Sequence, residues 1–207
     1  MSDAPSPATG QPGAPVTGDD GVARCPWGAG PELYRQYHDR EWGRPVHGEA
    51  PLFERLSLEA FQSGLSWLTI LRKRPAFRAA FADFDPAVVA GFDETDERRL
   101  LADAGIVRNG AKIRATIANA RAVLALRDRV DGGLDALLWS FAPRDRDASP
   151  APRTMADVAA TTPGSAALAA ALRRHGLVFV GPTTAYAAMQ ACGLVDDHLL
   201  GCAARRV

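Results

Sequence analysis

Residues 104–113 read AGIVRNGAKI, and what flanks them decides the fold. Upstream, DETDERRLLADA (93–104) places Asp93 and Asp96 where a helix N-cap and first turn favour a carboxylate. Downstream, GAKIRATIANARAVLALRDRV (110–130) sets Ile113, Ile117, Ala120 and Leu124 at helical spacing. The decapeptide between them reads as a turn from one helix into the next, and Gly105 and Gly110 suit such a turn.

The same grammar extends along the chain. PLFERLSLEAFQSG (51–64) opens on a proline, which suits a first helical turn. SAALAAALRRHG (165–176) follows Pro163-Gly164 and stops at a glycine, and PTTAYAAMQACG (182–193) behaves alike. Only LVFVG (177–181) reads as a strand, and APRDRDASPAPRT (142–154) reads as a polar loop. Residues 1–22 are rich in Pro, Gly, Ala, Ser and Thr and have no aromatic, so they are expected to form a disordered extension. The expectation is a mostly α fold of short helices, with one domain over residues 23–207.

With 207 residues and 47% hydrophobic composition, the chain can bury one sizeable core. A net charge of +0 gives no global attraction to nucleic acid or anionic lipid. That balance can hide a basic face, because Arg72, Lys73 and Arg74 cluster, as do Arg108, Lys112, Arg114 and Arg121. No run of about 18 apolar residues is present, so no membrane association is expected. Three cysteines, an odd number, and the lack of a secretory leader pattern point to a reducing cytoplasm rather than a disulfide framework.

DDHLLGC (196–202) sets His198 and Cys202 four residues apart, so both fall on one side of a helix or tight turn. Two ligands do not close a tetrahedral site. Cys25, His38, His47, His175 and Cys192 are the remaining candidates. A Cys2His2 set would be saturated, and therefore structural rather than hydrolytic. The competing reading is a set of buried cysteines and histidines satisfied by backbone groups. Trp27, Tyr34, Tyr37, Trp42 and Trp67 crowd into residues 27–67, either as core or as a box for a planar ligand. Glu59 falls beside the apolar arc of its helix and four residues after Arg55, so an exposed Arg55–Glu59 pair is one reading of it.

Six fragments carry a resemblance when taken in order: YHDREWG, LEAFQSGLSWLTIL, AGIVRNGAKI, NARA, FVGPTTAY and MQACGLVDDHLLGC. Together they resemble the DNA-3-methyladenine glycosylase I family of the helix-hairpin-helix superfamily, over Cys25 to Cys202. The resemblance implies hydrolysis of the N-glycosidic bond of 3-methyladenine in double-stranded alkylated DNA. The base would be flipped into an aromatic pocket and then leave as free 3-methyladenine. It implies one structural zinc ion on Cys25, His38, His198 and Cys202. Glu59 matches the family's base-pocket glutamate and is the residue assigned to catalysis. Trp67 matches a stacking tryptophan and Tyr37 a pocket tyrosine, with Trp27, Tyr34 and Trp42 beside them. AGIVRNGAKI matches a hairpin whose N–H groups hold a DNA phosphate, with Arg108 and Lys112 adding charge, and Gly64 and Leu65 would lie at the vacated stack. Phe61 stands where some members carry a polar residue, a difference that could alter the pocket rim. Asp128, Asp131 and Asp135 follow the hairpin, but the family resembles its superfamily without a catalytic aspartate there. A monofunctional, monomeric enzyme is expected. The alternative is a non-catalytic zinc-stabilised DNA-binding module of the same fold, and a zinc hydrolase is more distant.

Overall fold

The computed structural model describes residues 11–144 and 150–206. Among these, nine α-helices follow a small N-terminal hairpin of strands β1 (Val16–Thr17) and β2 (Ala23–Arg24). The helices are α1 (Glu32–Arg40), α2 (Glu49–Gln62), α3 (Trp67–Ala80), α4 (Pro86–Val89), α5 (Glu94–Ala102), α6 (Gly110–Arg127), α7 (Gly133–Trp139), α8 (Pro163–Arg174) and α9 (Pro182–Ala191).

The mostly helical expectation holds, and local chemistry explains the boundaries. Asp93 caps α5 by accepting from Thr95 and Asp96 N–H, with Asp96 returning the bond in a capping box. Asn109 caps α6 by accepting from Lys112 N–H at 3.2 Å. Pro163 and Pro182 sit in the first turns of α8 and α9.

Two expectations need correction. LVFVG forms no strand. Asn119 takes both backbone groups of Val178, accepting from its N–H at 2.7 Å and donating to its carbonyl at 3.0 Å. Phe179 then turns through a positive φ of 58°, which ends any extended run. The N-terminal expectation also shifts. Val16–Thr17 pairs antiparallel with Ala23–Arg24, so ordered chain begins before residue 22, while residues 1–10 lie outside the described residues.

Helix α2 is the axle of the domain. From Leu52 to Phe61 every residue is buried, against α3, α6, α7 and α9. A helix enclosed all round must neutralise its charges internally. Glu54 accepts from Arg74 Nε at 2.8 Å and Arg78 Nε at 2.7 Å, and Arg55 donates to Glu41 at 2.8 Å. The Arg55–Glu59 surface pair is therefore not formed. Phe61 bears on the core rather than on the pocket rim. It is fully buried between Phe77 and Phe81.

Candidate active site and metal centre

A cavity of about 300 Å³ opens where α1, α2, α3 and α9 meet, a size at the lower end of small-molecule pockets. Trp27 reaches it from the 3-10 turn Pro26–Ala29, and Tyr34 and Tyr37 from successive turns of α1. Trp42 follows α1, Glu59 and Gln62 lie one turn apart near the end of α2, and Trp67 opens α3. Ser66 caps α3 by accepting from Thr69 N–H, which fixes the start of the helix and so the origin of Trp67. Tyr34 Oη accepts from Leu68 N–H at 2.9 Å and ties α1 to the same turn.

All five expected aromatics therefore line one cavity together with Glu59. The rings of Tyr37 and Trp67 lie 5.4 Å apart and tilted, and Trp27 meets Trp42 edge-on at 5.0 Å. Tyr37 Oη and Trp67 Nε1 are buried without a hydrogen-bond partner among the described residues. An unsatisfied buried donor costs about 1–3 kcal/mol, so two of them on one cavity wall argue for a polar ligand between them. Glu59 is only 8% exposed and lacks a hydrogen bond to its carboxylate among the described residues. Burial pushes its carboxyl up to about 8, and the nearby Arg55 charge only partly opposes this. Burial and the Glu59 charge likewise raise the Tyr37 phenol, which stays a neutral donor.

The sequence reading missed Gln62, Gln190, Met155, Val158 and Ala187 in the cavity wall. Gln62 was legible in principle, one turn after Glu59. Both glutamines have committed amide donors. Gln62 Nε2 donates to Leu65 O at 3.0 Å, and Gln190 Nε2 to Asp197 Oδ2 at 2.7 Å. Since a carbonyl and a carboxylate only accept, each amide orientation is fixed and each Oε1 is left as an acceptor. The wall is thus rich in acceptors and π-faces.

Beside the cavity, the donor atoms of Cys25, His38, His198 and Cys202 lie within 4.8 Å of one another, and all four residues are buried. Cys25 Sγ is 3.8 Å from His198 Nδ1, and Cys202 Sγ is 3.6 Å from His198 Nδ1 and 3.5 Å from His38 Nε2. A tetrahedral ion with bonds of about 2.0–2.3 Å keeps its ligand atoms roughly 3.3–3.8 Å apart, so the cluster fits a metal. The second ring nitrogens are held from outside. His38 Nδ1 faces Asp39 at 2.8 Å, and His198 Nε2 faces the Trp42 carbonyl at 3.1 Å. Cys202 is held well below the usual thiol range by the Cys25 hydrogen bond and the two imidazoles, which favours a thiolate ligand in this cluster. Gly28 is required here, because a Cβ at that position would collide with the His38 ring. His47, His175 and Cys192, the other candidates, are elsewhere, with His175 at the C-terminal end of α8. His47 stacks on Trp139, and Cys192 lies in the main core.

The hairpin between α5 and α6 requires the largest correction. Arg108 is exposed, as expected. Lys112 is not available to a phosphate: it is 7% exposed, and its Nζ donates to Phe61 O at 2.9 Å and Ser63 O at 2.6 Å. It caps the C-terminus of α2, where carbonyls point outward unpaired. This strut fixes the hairpin against loop 63–66. In that loop Gly64 takes a φ of +82° and Leu65 projects at 37% exposure. None of Asp128, Asp131 and Asp135 lines the cavity, and Asp135 instead accepts from Gly48 N–H at the start of α2. Replacing Lys112 with methionine is expected to lower stability by roughly 1–3 kcal/mol, since two carbonyls lose a buried charged donor. Thermal melting measures this, and an unchanged melting temperature would show that the strut contributes nothing.

Comparison with known proteins agrees with this architecture. The family model for methyladenine glycosylase matches residues 27–206, leaving the N-terminal hairpin outside its span. The chain is 45% identical over 181 residues to DNA-3-methyladenine glycosylase 1 of Escherichia coli, covering 87% of this chain and 96% of that protein. A crystal structure of 3-methyladenine DNA glycosylase I superposes with a TM-score of 0.81 at 44% identity, covering 88% of this chain and all of that one. A structure addressing 3-methyladenine recognition by the Staphylococcus aureus 3-methyladenine DNA glycosylase I also gives 0.81 at 32% identity, over 89% of this chain and 97% of that one. With its buried carboxylate, aromatic cavity and hairpin in the places described, this chain belongs to the methyladenine glycosylase family.

Proposed function

We propose that this chain is a base-excision repair enzyme that hydrolyses the N-glycosidic bond of 3-methyladenine in double-stranded alkylated DNA. One observation carries the reading: Glu59 sits buried in an aromatic cavity with no hydrogen bond to its carboxylate among the described residues, and Tyr37 Oη and Trp67 Nε1, from residues of the same cavity wall, also lack partners there. Methylation on the ring makes adenine cationic and weakens its bond to deoxyribose. A cation is drawn to the faces of Tyr37 and Trp67 by roughly 0.5–2 kcal/mol per contact. It also supplies the charge that Glu59 needs to ionise at neutral pH. Neutral adenine supplies none, so it meets a protonated carboxyl and binds less well. Glu59 therefore selects the base by charge, accepting from its exocyclic amine, and Gln62 and Gln190 offer further acceptors at the wall.

Cleavage moves positive charge from the departing base to the sugar, and water completes the reaction. The chain's two lysines, Lys73 and Lys112, both donate to backbone carbonyls, and neither lines the cavity. Neither lysine amine is placed to form a Schiff base, which supports a monofunctional enzyme without strand cleavage. The first-turn N–H groups of α6 and the exposed Arg108 would hold a phosphate, and Leu65 would fill the vacated stack. The four-residue cluster would hold one structural zinc ion, its donor set being the one zinc favours in closed sites. When bound, that ion fixes fold and charge. Cys25 and His38 anchor the aromatic segment, and His198 and Cys202 the C-terminal turn. We further take residues 23–207 as the glycosylase domain, acting as a monomer in the cytoplasm.

The deciding experiment incubates the protein with methylated duplex DNA and identifies the products. Free 3-methyladenine and an unbroken strand with an abasic site are expected. Binding without base release would favour a non-catalytic module. Arg108→Ala should weaken damaged and undamaged duplexes about equally, and reduce the salt slope of binding by roughly one. A change in selectivity without a change in slope would remove Arg108 from the phosphate contact.

A further inference from the structure

The segment ahead of the family's span reaches the turn that carries Met155, a residue of the cavity wall. Strand β1 pairs with β2, Ala23 O accepts from Ala203 N–H at 2.8 Å, and Arg24 pairs with Asp39 at 2.8 Å. The segment is thus tied to the edge of the Cys/His cluster. From that anchor it runs back to Gly13, whose carbonyl accepts from Met155 N–H at 3.0 Å. Met155 and Val158 line the cavity mouth as aliphatic members of a largely aromatic wall. They belong to a tight turn locked from within, because Asp157 Oδ2 accepts from Thr154 N–H at 2.8 Å and Arg153 N–H at 3.0 Å. Leu200 N–H donates to Pro152 O at 2.7 Å and pins the other side of the turn. Gly13 has a φ of +79°, and a Cβ there would lie 3.4 Å from Met155 N. Only glycine adopts this conformation without strain while its carbonyl lies against the turn.

We propose that residues 11–17 are a strap that seats Met155 on the lip of the base pocket and slows release of the excised base. Met155 is a positioning residue on the lip, and the strap acts through it. The inference rests on the base-pocket reading. A partly exposed, adaptable thioether on the cavity wall gains burial when a methylated purine occupies the cavity. Its backbone N–H, at the start of a 3-10 turn, has Gly13 O as its hydrogen-bond acceptor. With that bond broken, the lip loses its outer support.

The test uses the full-length chain and measures dissociation of free 3-methyladenine by tryptophan fluorescence, alongside single-turnover excision. Met155→Ser is expected to release the base roughly fivefold faster, as partial loss of one apolar contact implies. Gly13→Val should reproduce most of that acceleration with wild-type single-turnover excision and a modestly lowered melting temperature from the strained backbone. Gly13→Ala, with less strain and less bulk at that positive φ, should fall between. Wild-type release from both Gly13 variants, or from Met155→Ser, would overturn the strap. If the unmodified protein binds no 3-methyladenine, the base-pocket reading itself fails, and the strap with it.

Discussion

Replacing Cys25 with serine is expected to lower the melting temperature by roughly 10–15 °C and leave little active protein at 37 °C. A buried charged network that loses one member typically costs about 3–5 kcal/mol, and a chain of this length shifts by about 2–4 °C per kcal/mol. The cluster joins residues 173 apart in sequence, so its loss frees both chain ends at once. The damage reaches the pocket through aromatic contacts. The rings of Trp27 and His38 lie 5.0 Å apart, and those of Trp42 and His198 lie 4.7 Å apart. When the imidazoles lose their anchor, two pocket walls lose their backing. Elemental analysis of purified protein should give about one zinc per chain, and chelation should mimic the substitution. Unchanged melting after verified zinc removal would sink the structural-zinc proposal.

What was legible in the sequence was mostly local. Asp93 and Asn109 act through neighbours two or three residues away, so α5 and α6 could be placed from capping chemistry. Residues whose role depends on distant partners were misread. Lys112 looks like any basic residue beside a hairpin until packing brings the Phe61 and Ser63 carbonyls to it. Arg55 is four residues from Glu59, yet it bonds Glu41. Periodicity cannot anticipate this, because α2 has no solvent face from Leu52 to Phe61, and Glu54 and Arg55 there find their partners on other segments. LVFVG failed for a related reason: β-propensity reports fit to a sheet, and no neighbouring strand exists for it among the described residues. In the cavity wall the aromatic cluster was visible as composition, whereas Met155 and Gln190 enter from distant segments well past the end of that cluster at Trp67.

Glu59→Gln is expected to move activity and stability in opposite directions. The substitution keeps the shape and removes the charge. Against a cationic base it loses a charge-assisted hydrogen bond of roughly 1.5–3 kcal/mol, which is about a ten- to hundred-fold loss in single-turnover release of 3-methyladenine. The pH profile follows from the carboxyl being pushed up to about 8 by burial. Pairing with the cation needs the ionised form, so wild-type kcat/KM should rise with pH toward about 8 and then level, and the variant should lack that limb. Stability has the other sign. The unfolded chain holds this proton to about 4.5 and the folded protein to about 8, so between those values the folded state binds more protons. Wild-type stability then falls as pH rises through that window, because ionising an unpaired buried carboxyl is unfavourable. Glutamine carries no such penalty. The variant should therefore melt above wild type at pH 8, by on the order of 1–3 kcal/mol, with the gap closing toward pH 4.5. A surface glutamate would produce neither effect, since its carboxyl would ionise in water and its replacement would leave base release intact. Melting curves at pH 5 and pH 8, set beside single-turnover excision, separate the cases. Slower excision with no stability gain at pH 8 would mean that Glu59 already has a partner in the free protein, and selection by charge would then have to come from the aromatic faces alone.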